Sequence, residues 1–337
     1  MKILILKIGA IGDVVMASSM ITAIDEKYPG AEITWICGRI VEPILSSFGR
    51  INKIISIDEE KFYRGTFLEK FGVVLSVWKL LAGKKYKIVL NCYQDKRYKL
   101  FLLPVRYELY KDLGKASNFL AEGKYHADEY ARMITNENEK QSINYKFPKA
   151  GFQTNDRLKK IIENIASPKI VLAPGGTKNI LRQDDVRRWP IKNYVRLAKE
   201  LIDRNISVIL IGAETDKWVL NDFSGIDFTD LVGKTTFADL IQLFNGADIL
   251  ISHDTGTLHL AKLSDINIIA LFGPVNPNER VGTNERVEVL WGGSCLSCSP
   301  CYDGREFPDC KNNICMQNIR IGDVINKINS ILNSSTR

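Results

Sequence analysis

The chain has 337 residues, 45% apolar and 25% charged, with 46 Lys and Arg against 39 Asp and Glu, a net charge of +7. That balance is globular, it excludes a disordered, collagenous or coiled-coil chain, and the length suggests two domains. No apolar run approaches the ~18 residues of a membrane-spanning helix, and MKILILKIGAIGD turns to Gly and Asp where a signal peptide would continue, so the chain is expected to be cytoplasmic.

Residues 2–8 (KILILKI) predict a first strand, Gly9 to Gly12 a tight loop, and the pattern from Asp13 to the residue before Pro29 a helix. Residues 32–36 predict the next strand. Such a strand–loop–helix–strand unit requires a parallel sheet. Lys53–Ile57 (strand), Phe67–Leu81 (helix) and Lys87–Asn91 (strand) continue the alternation. A polar stretch from Pro148 to Pro168 marks the domain junction. Beyond it lie Ile170–Ala173, Ser207–Ile211, Ile249–Ser252 and Ile268–Phe272 as strands, with Ile191–Arg204, Phe237–Asn245 and Thr257–Leu263 as helices. Ile319–Leu332 has helical spacing. The fold class is therefore α/β, with two alternating halves, and ligands are expected beyond the carboxyl ends of the strands, in the cleft between the halves.

Three loops at strand ends carry the chemistry. In Gly9-Ala10-Ile11-Gly12-Asp13 the glycines allow close approach of a ligand to the backbone, but the G-x-G-x-x-G dinucleotide pattern is absent. Asp13 has two readings: an N-cap for the following helix, or a general base that takes a proton from a hydroxyl nucleophile. Ala173-Pro174-Gly175-Gly176-Thr177 offers backbone N–H groups and a hydroxyl to phosphate, and Arg187-Arg188-Trp189-Pro190 follows with guanidinium groups suited to a leaving diphosphate. In His253-Asp254-Thr255-Gly256-Thr257-Leu258-His259, Thr255, Gly256 and Thr257 could meet phosphate, and two of the chain's three His residues fall here. Glu214, just past another strand, is either a ribose-binding carboxylate or a solvated loop residue.

Taken in order, IGAIGDVVMASSMI, APGGT, RRWP and DTGTLHLAKL followed by ALFGPVNP resemble glycosyltransferase family 9, the ADP-heptose:lipopolysaccharide heptosyltransferases. The resemblance implies a GT-B architecture of two Rossmann-like domains facing a central cleft: residues 1–155 for the acceptor, 156–318 for the nucleotide sugar, and a final segment, 319–337, crossing back to the first domain. It implies inverting, metal-independent transfer of a heptose from ADP-heptose to a lipid-linked or glycan acceptor of lipopolysaccharide-core type. Carried over residue by residue, Asp13 matches the base, with Gly9 and Gly12 in the acceptor loop. Gly176, Thr177, Glu214, Asp254, Thr255, Gly256, Thr257 and His259 match donor-binding positions. Arg187 stands where family members often carry Lys, replacing a point charge by a fork. Thr257-Leu258 replaces the family's usual Leu-Ser, which bears on the sugar. Alternatives are a transferase or epimerase for another nucleotide sugar, a protein O-heptosyltransferase, or a non-catalytic nucleotide-binding protein.

Two compositional features remain. Five of seven Cys lie in Cys295–Cys315, spaced C-x2-C-x2-C-x8-C-x4-C. Cys298, Cys301, Cys310 and Cys315 make the best quartet for a structural Zn or Fe, and the other reading is reduced thiols that pack the loop. Between Lys79 and Lys115 there are ten Lys and Arg but three Asp and Glu. With no nucleic-acid motif beside it, this stretch is read as a solvated face or as one attracted to the inner membrane surface, giving peripheral association without nucleic acid.

Overall fold

The computed structural model describes residues 1–114, 120–135, 145–177, 184–283, 286–303 and 306–335. The chain forms two compact units that divide at Gly151/Phe152.

Unit 1 is built on five parallel strands: β1 (Lys2–Leu6), β2 (Glu32–Gly38), β3 (Lys53–Ile57), β4 (Lys85–Asn91) and β5 (Arg106–Asp112), in the order β3-β2-β1-β4-β5. Unit 2 has six: β6 (Lys169–Ala173), β7 (Ser207–Gly212), β8 (Thr229–Val232), β9 (Ile249–His253), β10 (Asn267–Phe272) and β11 (Val287–Trp291), in the order β11-β10-β9-β6-β7-β8. Both are doubly wound α/β sheets with the same strand order, read outward from β1 or from β6. The order reverses between β1 and β4 and between β6 and β9, and such switch points open a crevice at the carboxyl ends of the strands.

The central strands carry unbroken apolar runs because helices cover both faces of a parallel sheet. Ile3–Leu6 and Ile170–Leu172 are fully buried. Each buried aliphatic side chain contributes about 1.5–3 kcal/mol. In unit 2 this core includes Trp189 of the RRWP segment, whose indole N–H donates to the Ile319 carbonyl at 3.0 Å and whose ring meets Tyr194 edge-on at 4.9 Å.

Three strands lie outside the expectations: β5, β8 and β11. All are edge strands, with sequences RYELYKD, TDLV and VEVLW that carry polar residues because one flank is open. The basic stretch from Lys79 forms β5 and the short 3-10 helix Lys96–Leu102, and its end at Lys115 lies outside the described residues. The final helix, Ile321–Ser335, packs on unit 2: Val324, Ile325, Ile328 and Ile331, on one face at helical spacing, join that core beside the helix Ile191–Asp203 and β10. Among the described residues no helix is long and apolar enough to cross a membrane.

Candidate active site

In unit 1 the loop after β1 lies at the switch point. Asp13 is not an N-cap. The helix begins at Ile11, with Ala10 as its cap and no side-chain cap bond, so Asp13 sits inside the first turn. Its Oδ2 instead accepts from Lys7 Nζ at 3.0 Å; the Lys7 side chain is 5% exposed and the Asp13 side chain 40%.

Lys7 follows β1 directly and was not among the candidates. Its ammonium lies 4.8 Å from the centre of the Tyr93 ring and 5.6 Å from that of Tyr130. Burial opposes its charge, yet Asp13, with Tyr130, Tyr93 and Cys92 around it, holds the ammonium well above its ordinary pKa. Burial also pushes the two phenols up, so they surround Lys7 as neutral rings, and pushes the Cys92 thiol up to about 12. Tyr93 fixes the loop as well, its hydroxyl accepting from Ile8 N at 2.8 Å and Gly9 N at 3.3 Å. A methyl group on Gly9 would meet nothing within 4 Å, so the space beside it is not used by the chain's own packing. Gly12 is half-buried within the same helix.

In unit 2 the loops after β6 and β9 meet at the second switch point. Gly176 has φ +86° and a Cβ there would stand 3.0 Å from Thr255 Cγ2; at Gly175 it would stand 2.5 Å from the Asp216 carboxyl carbon. Glycine is required at both. Thr177, buried, holds φ +69°, a strained conformation for a β-branched residue. The expectation of free N–H groups here is met only in part: Gly176 N donates to Asp216 Oδ1 at 2.9 Å, and Ala213 N to Oδ2 at 2.9 Å. Asp216, buried and absent from the candidates, thus ties the β6 loop to the β7 loop. The Thr177 hydroxyl donates to Asp185 Oδ1 at 3.2 Å.

Asp254 is buried between cations. Arg187 Nη1 reaches its carbonyl at 2.9 Å and its Oδ2 at 3.3 Å, and Arg187 Nη2 reaches Asp184 at 3.4 Å. His259 Nε2 lies 3.4 Å from Oδ1. Burial alone would raise the Asp254 pKa, but the hydrogen bond from His259 and the Arg187 and Arg280 guanidinium groups hold it well below the usual carboxylate range. Burial lowers His259, so the imidazole is neutral and donates from Nε2. His253 is fully buried at the end of β9, 3.1 Å from the Tyr194 hydroxyl, and burial with Arg187 and Arg188 nearby pushes it down to about 3. Of this loop Gly256 and Thr257 are half-exposed, while Asp254, Thr255 and His259 are buried. Glu214, just past β7, is largely exposed and pairs with Lys217 at 2.5 Å.

Among the described residues, the buried side-chain nitrogens with no hydrogen-bond partner are Nε of Arg187 and of Arg188, Nε2 of His253 and Nδ1 of His259. All four border this one locus. Unpaired buried polar atoms are costly and concentrate where a ligand or water completes them.

Burial, with Cys301, Cys310 and Cys298 nearby, raises the Cys315 thiol to about 11. Asn313 joins two of them, its N–H on Cys310 at 3.3 Å and its Oδ1 accepting from Cys315 at 3.4 Å. Among the described residues, however, no three His, Cys, Asp or Glu side chains are spaced to hold a metal ion.

The family model for glycosyltransferase family 9 (heptosyltransferase) matches residues 116–309. The chain belongs to that family. It is a glycosyltransferase, and the loops of unit 2 fall within the matched span. It is 24% identical over 289 residues to the lipopolysaccharide core heptosyltransferase OpsX of Haemophilus influenzae, covering 81% of this chain and 79% of that one. Its fold resembles that of the Escherichia coli ADP-heptose lipopolysaccharide heptosyltransferase II, with TM-score 0.72 and 18% identity across the whole of both chains. It also resembles the iron-containing dodecameric glycosyltransferase TibC of enterotoxigenic E. coli, with TM-score 0.63 and 13% identity over 99% of this chain and 76% of that one.

Proposed function

We propose that this heptosyltransferase moves a heptose from ADP-heptose to a hydroxyl of a lipopolysaccharide-core acceptor, with inversion and with Asp13 as general base. The observation that carries the reading is the Lys7–Asp13 pair: a buried ammonium holds a half-exposed carboxylate at the switch point of unit 1. The lipopolysaccharide-core and ADP-heptose names of the two relatives support the donor and acceptor classes.

The acceptor hydroxyl gives its proton to the Asp13 carboxylate as its oxygen attacks the anomeric carbon. The bond from that carbon to the diphosphate breaks, and ADP leaves with the electron pair. Lys7 pairs with Asp13 and fixes its direction. Charge gathers on the leaving diphosphate at unit 2, where the half-exposed Gly256 and Thr257 and the nearby Arg187 offer donors and positive potential. Glu214 would release Lys217 to accept from the ribose hydroxyls. No step uses a metal ion.

Donor-dependent ADP release with a Kdo-lipid acceptor tests the reading. ADP-heptose should support turnover and UDP- or GDP-sugars should not; release with those sugars alone would select another transferase or an epimerase. For Cys298, Cys301, Cys310 and Cys315, the sequence spacing and Asn313, which bonds both Cys310 and Cys315, support a structural staple completed by Zn or Fe. Elemental analysis of protein purified without chelator should find stoichiometric metal, lost in Cys298→Ser/Cys310→Ser. Metal-free protein of full activity would leave reduced thiols that pack the loop.

A further inference from the structure

The Cys-rich loop between β11 and the final helix lies in unit 2 and is anchored at both ends. One end is fixed just past β10, where Ser299 Oγ donates to the Gly273 carbonyl at 2.8 Å and Cys301 N to the Pro274 carbonyl at 2.9 Å. The other is fixed on the RRWP segment, where Asn313 Nδ2 donates to the Arg188 carbonyl at 3.4 Å. Cys315 and Met316, beyond it, are buried in the core of unit 2.

From Cys295 to Cys310 the loop has two aromatic residues, Tyr302 and Phe307. Their rings pair at 4.8 Å. A turn brings them together: Asp303 N donates to the Glu306 carbonyl at 3.3 Å, and Glu306 N to Asp303 Oδ1 at 2.6 Å. Each ring also covers a cation. Arg187 Cζ lies 5.9 Å from the centre of the Phe307 ring, and Arg280 Cζ lies 5.7 Å from that of Tyr302. These are the two guanidinium groups that act on the buried Asp254 carboxylate. A pair of rings that only filled the loop would not need to meet both.

An aromatic face attracts a cation through its quadrupole and takes none of its N–H donors in a conventional hydrogen bond. Arg187 keeps such a donor. Its Nη1 reaches Asp254 and its Nη2 reaches Asp184, while its Nε is buried with no hydrogen-bond partner. Phe307, half-buried, also helps to shield this side chain, which is 18% exposed. A charge shielded from water acts more strongly on a neighbouring anion.

We propose that Phe307 and Tyr302 are positioning residues for the donor diphosphate. Phe307 holds the Arg187 guanidinium with its Nε donor available, and Tyr302 holds Arg280 near the same carboxylate. The Cys-rich loop is thereby part of the donor site. The proposal rests on unit 2 as that site and does not involve Asp13.

Calorimetric titration of the full chain with ADP tests it. Phe307→Ala should bind ADP about fivefold more weakly than wild type. Phe307→Leu, which fills the space without a π face, should also be weakened, whereas Phe307→Tyr should bind like wild type. Tyr302→Leu should shift the affinity in the same direction. A partly unfolded variant lowers the number of sites and leaves the affinity of the remaining ones, so the two effects separate. Wild-type affinity in Phe307→Leu would overturn the proposal, since the ring would then only fill space. Equal weakening in Phe307→Tyr would overturn it too, because the retained π face would count for nothing. A wild type that binds UDP or GDP in place of ADP would overturn the donor reading instead, and the same variants titrated with that nucleotide would still decide the role of Phe307. Binding of none of these nucleotides would overturn both.

Discussion

Asp13 and Asp254 each follow a strand that borders a switch point, β1 in one unit and β9 in the other, and each is paired with a cation. In unit 1 the cation is the buried partner and the carboxylate is half-exposed. In unit 2 the carboxylate is buried, held by Arg187 and His259. Positions beside the two switch points therefore serve opposite ends. Burying the cation presents a carboxylate to a substrate, whereas burying the carboxylate braces the loop around it.

Replacing each carboxylate separates the two roles. Asp13→Asn should cut turnover by about 10²–10⁴-fold while donor affinity, read by calorimetry, stays close to wild type. Near-normal turnover would remove Asp13 as base and collapse the contrast. Asp254→Asn should do the reverse, costing about 3–5 kcal/mol of stability because Arg187 and His259 lose their buried partner; an unchanged Tm would show that the pair does not brace the loop.

Lys7→Met tests what the buried cation does. Met fits between the Tyr93 and Tyr130 rings, so the fold should persist. Without the ammonium the carboxylate loses the partner that fixes its direction, and kcat should fall by about tenfold or more with donor affinity unchanged. An unchanged kcat, with Asp13→Asn inactive, would leave Asp13 as base and reduce Lys7 to packing. Asp13→Asn with near-normal turnover would instead remove the base itself.

The smallest effect concerns acid stability. His253 is lowered in the folded state to about 3, so its contribution is fully present above its unfolded pKa of about 6.5. It is lost as pH falls from there towards the folded value, since the unfolded chain binds the proton first. Asp254, also lowered, adds a loss that begins only below about 4. Thermal melts should therefore show Tm falling below about pH 6.5, and His253→Phe should flatten that first part of the fall. A parallel fall in both proteins would assign it to other groups.

How much of this was legible depended on burial. Central strands such as KILIL and ILISH announce themselves because both faces are covered and each carries an unbroken apolar run. The edge strands RYELYKD, TDLV and VEVLW do not, since an open flank accepts polar residues. The loops were legible as Gly, Thr and Asp at strand ends, but their partners were not. Lys7 reads as one more residue of the first strand until the fold closes Tyr93 and Tyr130 over it, and Asp216 reads as loop polarity until it reaches the Gly176 amide.

The sequence by itself determined two parallel βα units, the order of the glycine-rich loops and the family they mark, because apolar periodicity and turn residues are local properties. The tertiary structure decided which carboxylate faces outward and that the final helix packs on unit 2. Those outcomes depend on residues far apart in the chain meeting at one edge of a sheet, and local sequence pattern does not encode that distance.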